Sequence, residues 1–185
     1  MDDLMATRRF RNPLKLGNKG TAAIEFALIA PVFFGLLFAI FETGMTYFAS
    51  LTLANAVMDT SRLIRTGEAQ TTGISQTDFR NTLCDKISML MSCGADKLNI
   101  DVRTFSSFGG SAFPTPLDAG GNLNPDLNHY DTGASSKNAG ASDIVLVRAF
   151  YQWQLYTPIV GAYFSNMPGN VRLLSASVAF RNEPY

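Results

Sequence analysis

The stretch Gly20-Thr21-Ala22-Ala23-Ile24-Glu25-Phe26 opens the segment that decides the fold of this chain. It begins an apolar run from Ala22 to Phe41, about twenty residues, which is long enough for a helix to span the hydrocarbon core of a bilayer. Glu25 is the only charged residue in that run. A carboxylate at bilayer depth costs roughly 2.5–3.5 kcal/mol on insertion scales, so it usually marks a partner or a function.

The charges around the apolar run are strongly asymmetric. The first basic residue after the run is Arg62, whereas five basic residues precede it: Arg8, Arg9, Arg11, Lys15 and Lys19. The positive-inside rule therefore predicts that residues 1–20 are cytoplasmic and that the rest of the soluble chain lies across the membrane. A secretory signal peptide is the alternative, but its apolar core is normally 7–15 residues long. We therefore expect a retained membrane helix.

Composition limits the remaining classes of function. The 185 residues leave about 120–140 for one soluble domain, and the net charge is zero with no basic patch beyond the leader, so nucleic acid is not expected as a partner. The single histidine is His129, and the chain has no nucleophile elbow, phosphate loop or metal-ligand cluster. We expect neither an enzyme nor a cofactor or metal site.

Cys84 and Cys93 are the only cysteines. In an oxidising compartment two cysteines most often pair, but nine residues of unbroken helix would separate them by about 13.5 Å, on nearly opposite faces. A disulfide requires Cα atoms within about 7 Å, so the helix would have to end before Cys93, for which Gly94 offers a turn. The alternative is two buried free thiols.

Periodicity along the chain predicts an α+β fold. We expect one long transmembrane and spine helix within residues 21–66, from about Thr21 to Arg65 and stopped by Gly67, after a cytoplasmic leader at 1–20. Residues 67–185 then form an α+β domain. Its second helix is expected from Thr77 to about Met91, capped by Ser75 or Thr77.

Three strands are predicted next: the alternating segment Leu98–Arg103, the β-branched and aromatic run Ile144–Trp153, and the alternating segment Leu174–Phe180. An antiparallel sheet packed on the helical spine is the expected architecture. Residues 106–142 are dense in Gly, Ser, Asn and Asp and are interpreted as a long surface loop. Its aspartates do not match a calcium-binding loop and are interpreted as solvated turn residues: Asp118, Asp126 and Asp131.

The N-terminal pattern resembles the processing site of type IV prepilins. Ala23–Leu28 with Pro31, then Glu42 and the segment 55–62, is similar to the opening of TadE-like proteins, minor pseudopilins of the bacterial tight-adherence (Flp, type IVc) pilus system. The two cysteines and the C-terminal segment 180–184 are also similar to members of that family. The resemblance implies a single-pass inner-membrane protein, cut by a prepilin peptidase between Gly20 and Thr21, that joins or primes assembly of adhesive pili with other pilins and pseudopilins.

Glu25, Phe26 and Glu42 are the residues expected to act in subunit assembly. Cleavage would give Thr21 a free amine, cationic below a pKa of about 7.7–8.0, which would attract the Glu25 carboxylate of a neighbouring subunit in a helix bundle. Glu42 closes the apolar run, where either an interfacial position or a specific contact accounts for its charge. The alternative function is an unprocessed, signal-anchored periplasmic scaffold or binding protein.

Overall fold

The computed structural model describes residues 19–94, 96–105, 113–132 and 144–183. The elements in chain order are α1 (Lys19–Arg65), α2 (Glu68–Thr72), α3 (Gln76–Ile87), β1 (Leu98–Phe105), a short 3₁₀ helix (Pro125–Leu127), β2 (Ile144–Gln154), α4 (Pro158–Phe164) and β3 (Val171–Arg181). They confirm the predicted α+β class. The chain divides into two compact units with the boundary after Leu37.

The first unit contains the beginning of α1. Its side chains from Gly20 to Ile29 are all exposed, including the large apolar ones such as Phe26 and Leu28. By length and composition, α1 is able to cross a membrane. An exposed apolar helix surface of this kind loses its contact with water when lipid surrounds it, which fits a single-pass membrane protein.

Glycine ends the long helix where the sequence predicts. Gly67 adopts φ 79°, a left-handed conformation that lets the backbone leave the helix without a Cβ clash. The five-residue helix α2, which was not predicted, follows immediately. Ser75 then caps α3, and its side chain and that of Asp78 form a reciprocal capping box.

The α3 helix is shorter than predicted and ends at Ile87 instead of about Met91. The chain therefore turns back before Cys93, and the Cα atoms of Cys84 and Cys93 lie 5.9 Å apart in a disulfide. A helix that ends before Cys93 is what the predicted disulfide required. The alternative of two free thiols is wrong.

The three strands form one antiparallel sheet in the order β1-β2-β3. The predicted strand positions are confirmed, with all three strands extending beyond the predicted limits, β2 by a single residue. In the register, Asp101 of β1 lies opposite Arg148 of β2, and Arg148 lies opposite Ser177 of β3. The alternate positions Ile100, Val147 and Ala176 face the opposite side of the sheet.

That opposite side packs on the helices and forms the main core. Its buried residues from the helices include Ala49, Leu53, Val57, Ile64, Phe79, Leu83 and Ile87, and those from the sheet include Ile100, Val102, Val147, Ala149, Leu174 and Ala176. The α1 residues in this core all lie beyond Phe41. The second half of α1 is thus the helical support of the sheet, as predicted.

The other face of the sheet is covered by the described part of the predicted loop 106–142. Within residues 113–132, Leu127 is buried and packs with Phe150 and Leu173. The Val102 N–H donates to the carbonyl of His129 at 2.8 Å, and the Asp131 N–H donates to the carbonyl of Val102 at 2.9 Å. This segment is therefore a packed third layer, which composition alone did not indicate. Asp118 accepts hydrogen bonds from the N–H groups of Gly120 and Asn122 in a turn.

Candidate functional site

The predicted processing site lies in the first turn of α1. Gly20 and Thr21 are exposed, and a Cβ added to Gly20 would meet no atom within 4 Å. Packing among the described residues therefore does not require glycine at this position.

Glu25 and Phe26 are also exposed on α1. Among the side chains that the structure describes, no hydrogen bond or ion pair reaches the Glu25 carboxylate. A carboxylate in this setting within an apolar run is costly in lipid unless an opposite charge lies nearby. Among the described residues, Glu25 is thus a charged side chain exposed on an apolar helix surface.

Glu42 is placed quite differently, because its carboxylate is engaged within its own chain. It accepts a very short hydrogen bond from the Tyr156 N–H and one from the Thr157 N–H at 2.8 Å. These two residues immediately precede Pro158, the first residue of α4. Glu42 therefore accepts from the two backbone N–H groups directly before Pro158, including that of Thr157, the N-cap residue, whose own side chain makes no capping hydrogen bond.

Two opposing effects act on the Glu42 carboxyl group, which lies outside the apolar run. Partial burial tends to raise its pKa, but the hydrogen bonds from Tyr156 and Thr157 outweigh burial and lower the pKa below its ordinary value of 4.5. The ionised form is thus the one that holds α4 against α1. The sequence did not indicate this contact, since no pattern links residues that are 115 positions apart.

Three further contacts hold α4 in place. Val160 and Gly161 are its buried residues, and a Cβ on Gly161 would approach the Asn170 side chain to 2.9 Å, so only glycine fits there without displacement. The Arg172 guanidinium donates to the Phe164 carbonyl at 2.7 Å and lies 6.0 Å from the centre of the Phe164 ring. No helix was predicted at this position, because two prolines and several aromatics obscured a seven-residue element.

A cavity of about 290 Å³ lies between α1, α4 and β3. Thr43, Thr46 and Ser50 line it on the α1 side, whereas Val160 and Leu173 give it apolar walls. Nothing in its lining resembles a catalytic group with an activating partner. It marks an incompletely packed junction next to the Glu42 contact.

A buried charge cluster lies on the face of the sheet that the third layer covers. Asp101 is fully buried and accepts from the guanidinium of Arg148, at 2.9 Å through Nε, and from Arg103 at 2.8 Å. Arg148 also donates to the Pro114 carbonyl at 3.1 Å, and Arg103 to the Asp126 carbonyl at 2.7 Å. Both arginines thus join the sheet to the third layer, which is a structural task. In the sequence, the feature that indicates this cluster is Arg148, a charged residue within the largely apolar strand β2.

The disulfide closes the turn that follows α3. Arg80 donates to the carbonyls of Cys93 and Gly94, the latter at 2.7 Å, and so fixes the same turn from the α3 side. Within the described residues, no group of three or more His, Cys, Asp and Glu side chains is arranged to hold a metal ion.

The architecture defines a class of protein in which a long apolar N-terminal helix continues into the support of a small α+β domain. The family model described as TadE-like protein matches residues 20–62, the segment that contains Gly20, Glu25 and Glu42. The resemblance predicted from the sequence is thereby confirmed over this segment. A TadE-like segment is consistent with a protein of the Tad pilus system. No match was found among curated proteins or among solved structures.

Proposed function

We propose that this protein is a minor pseudopilin needed for assembly of tight-adherence pili. A prepilin peptidase cuts it between Gly20 and Thr21, and the mature chain stays anchored in the inner membrane through residues 22–41. Residues 1–20 face the cytoplasm and the α+β domain faces the periplasm, where its disulfide is stable. Its partners are the peptidase and the other pilins and pseudopilins of the machinery.

The observation that carries this proposal is the combination of Glu25 with the match of residues 20–62 to the TadE-like family. Glu25 is exposed in an apolar helix surface and has no partner among the described side chains. After cleavage, the free amine of Thr21 would supply the opposite charge from a neighbouring subunit, and pairing lowers the cost of both ions in lipid. Phe26, also exposed, would pack beside that pair.

The alternative is a signal-anchored periplasmic scaffold or binding protein that is never cut. It shares the helix, the sheet and the disulfide, and it differs in leaving the Gly20–Thr21 bond intact. Whether the Gly20–Thr21 peptide bond is cut therefore distinguishes the two functions.

N-terminal sequencing of the protein from the membrane fraction tests the proposal. We expect the mature chain to begin at Thr21, and the Gly20→Glu variant to remain uncut because a bulky charged side chain replaces a hydrogen. Gly44→Ala is the matched control, since a Cβ at Gly44 likewise meets no atom within 4 Å and the same helix is altered. We expect this control to be cut normally. A wild-type chain that begins at Met1 in a strain with an active peptidase would favour the scaffold.

A further inference from the structure

The contact between Glu42 and α4 determines the depth of α4 relative to the membrane. Glu42 directly follows Phe41, the last residue of the apolar run, so it lies where the helix leaves the hydrocarbon core. Its carboxylate bonds to the N–H groups of Tyr156 and Thr157. The start of α4 is therefore held within one hydrogen bond of Glu42, the residue that directly follows the apolar run.

The surface of α4 has the composition of a membrane interface. Tyr156 is 84% exposed, Ile159 is 55% exposed and Tyr163 is 83% exposed; we call these three residues the α4 surface. No residue from 156 to 164 carries a charge. Tyrosine is enriched at the level of the lipid headgroups, where its ring is shielded and its hydroxyl remains hydrated.

We propose that the α4 surface inserts into the interfacial region of the bilayer, as a second membrane contact in addition to the spanning helix. This inference rests on the membrane anchoring in the proposed function. Lipid is the occupant because the depth of α4 follows from covalent continuity with the apolar run, whereas no observation places a protein partner there. Since the α4 surface is uncharged, the contact does not depend on anionic lipid.

The structure also shows why α4 is able to stay at this depth. Val160 and Gly161 face the protein, so the short helix is anchored on one side and leaves Tyr156, Ile159 and Tyr163 exposed on the other. Ionised Glu42 satisfies the N–H groups of Tyr156 and Thr157, which would otherwise lack acceptors near the bilayer.

Tryptophan fluorescence in full-length protein tests the proposal. Trp153 is the only tryptophan, so Trp153→Phe provides a silent background that retains an aromatic ring. Tyr163→Trp is then introduced, and the protein is reconstituted into phosphatidylcholine vesicles with or without bromine at carbons 6 and 7 of the acyl chains. Ile159→Trp is an independent second probe on the same surface, for use if the first variant does not fold.

Met89→Trp is the matched control, because Met89 is 99% exposed but lies further than α4 from the end of the apolar run. Met89 lies three residues after Lys86, and Lys86 pairs with Asp59 of α1 at 3.5 Å. Asp59 lies about 25 Å further along α1 than Glu42, which indicates the distance of Met89 from the end of the apolar run. We expect brominated lipid to quench the tryptophan at position 163 at least about twofold more strongly than the one at position 89.

Three results would overturn the proposal, and they have different meanings. Equal quenching at positions 163 and 89, in protein that resists alkaline carbonate extraction, removes the α4 contact but leaves the membrane anchor in place. Protection of position 163 from aqueous acrylamide without quenching by brominated lipid would mean that protein, and not lipid, covers α4. Extraction of the chain by carbonate would overturn the anchoring and this inference together.

Discussion

The Glu42 carboxylate lies 2.8 Å from the backbone nitrogen of Thr157, which is 115 residues further along the chain. This bond joins the first charged position after the apolar run to the beginning of α4. Glu42 therefore has a task within its own chain, whatever it contributes to subunit assembly. Replacement of Glu42 should therefore lower the stability of the folded domain and not only impair assembly of the pilus.

Replacement of Glu42 by glutamine should destabilise the domain by about 1–2 kcal/mol, because it exchanges charge-assisted hydrogen bonds to two N–H groups for a single neutral acceptor. That corresponds to a fall in Tm of about 3–6 °C for a chain of this size. Thermal unfolding in detergent, followed by circular dichroism, measures the change. Glu68→Gln on α2 is the control and should move Tm little, as expected for a surface position. Equal shifts in the two variants would contradict a specific role for Glu42.

The stabilisation by Glu42 should depend on pH in a defined direction. Its pKa is lower in the folded state than the ordinary value of 4.5, so its contribution is fully present above about pH 5.5 and is lost as the pH falls through the folded pKa. The difference in Tm between the wild type and Glu42→Gln should therefore be constant from pH 6 to 8 and shrink below about pH 4.5. A difference that stays constant down to pH 3 would show that the carboxylate charge is irrelevant.

Tyr130 should ionise only at strongly alkaline pH. Burial, and to a lesser degree the negative charge of Asp78, raise its pKa to about 12, and its hydroxyl donates to the Ile74 carbonyl at 3.2 Å. Because the folded pKa exceeds the unfolded one, this stabilisation is present below about pH 10 and is lost as the pH rises through 12. The difference in absorbance at 295 nm between the wild type and Tyr130→Phe should show a midpoint near 12. A midpoint near 10 would mean that the third layer does not shield this ring.

The disulfide should stabilise the domain by about 2–3 kcal/mol, since it closes a short loop in the unfolded chain. We expect Cys84→Ser to lower the Tm to the same extent as addition of a reductant to the wild type. The double variant Cys84→Ser, Cys93→Ser is the control and should not respond to the reductant. If reductant leaves the wild-type Tm unchanged while the thiols become titratable, the bridge does not stabilise the fold.

Glu25→Ala should insert into the membrane and fold as the wild type does, but it should abolish surface pili and adherence. The reason is that Glu25 is exposed in α1 and contributes no described contact to the fold, whereas it is the expected partner of a neighbour's amine. Electron microscopy and an adherence assay provide the readout, and the Tm of the purified variant serves as the control for folding. Normal piliation in Glu25→Ala would remove the ion pair between subunits from the proposed function.

Much of the fold was predictable because the relevant signals are local. The C-terminal end of α1 followed from Gly67, where φ is positive, and the strands followed from alternation and β-branched residues. The Ser75 cap was one of two predicted candidates. Each of these features depends on residues that are a few positions apart, and that is the range over which sequence patterns carry information.

The missed features depend on contacts between distant segments. Residues 113–132 have the composition of a loop, yet they pack because Leu127 meets Phe150 and because Arg148 and Arg103 find acceptors there. Helix α4 is too short for a periodic pattern, and what stabilises it comes from elsewhere in the chain, namely Glu42 and Arg172. Short elements of this kind take their stability from tertiary packing and not from propensity.

The sequence by itself determined the apolar run, its isolated Glu25 and the order of α1, α3 and the three strands. Only the tertiary structure decided between a disulfide and free thiols, made part of the long loop a third layer and engaged Glu42 with the start of α4. The physical reason is the same in each case. Local periodicity decides which backbone conformation a segment adopts, whereas the pairing of a carboxylate, a thiol or a guanidinium depends on which distant group the fold brings within hydrogen-bonding or bonding distance.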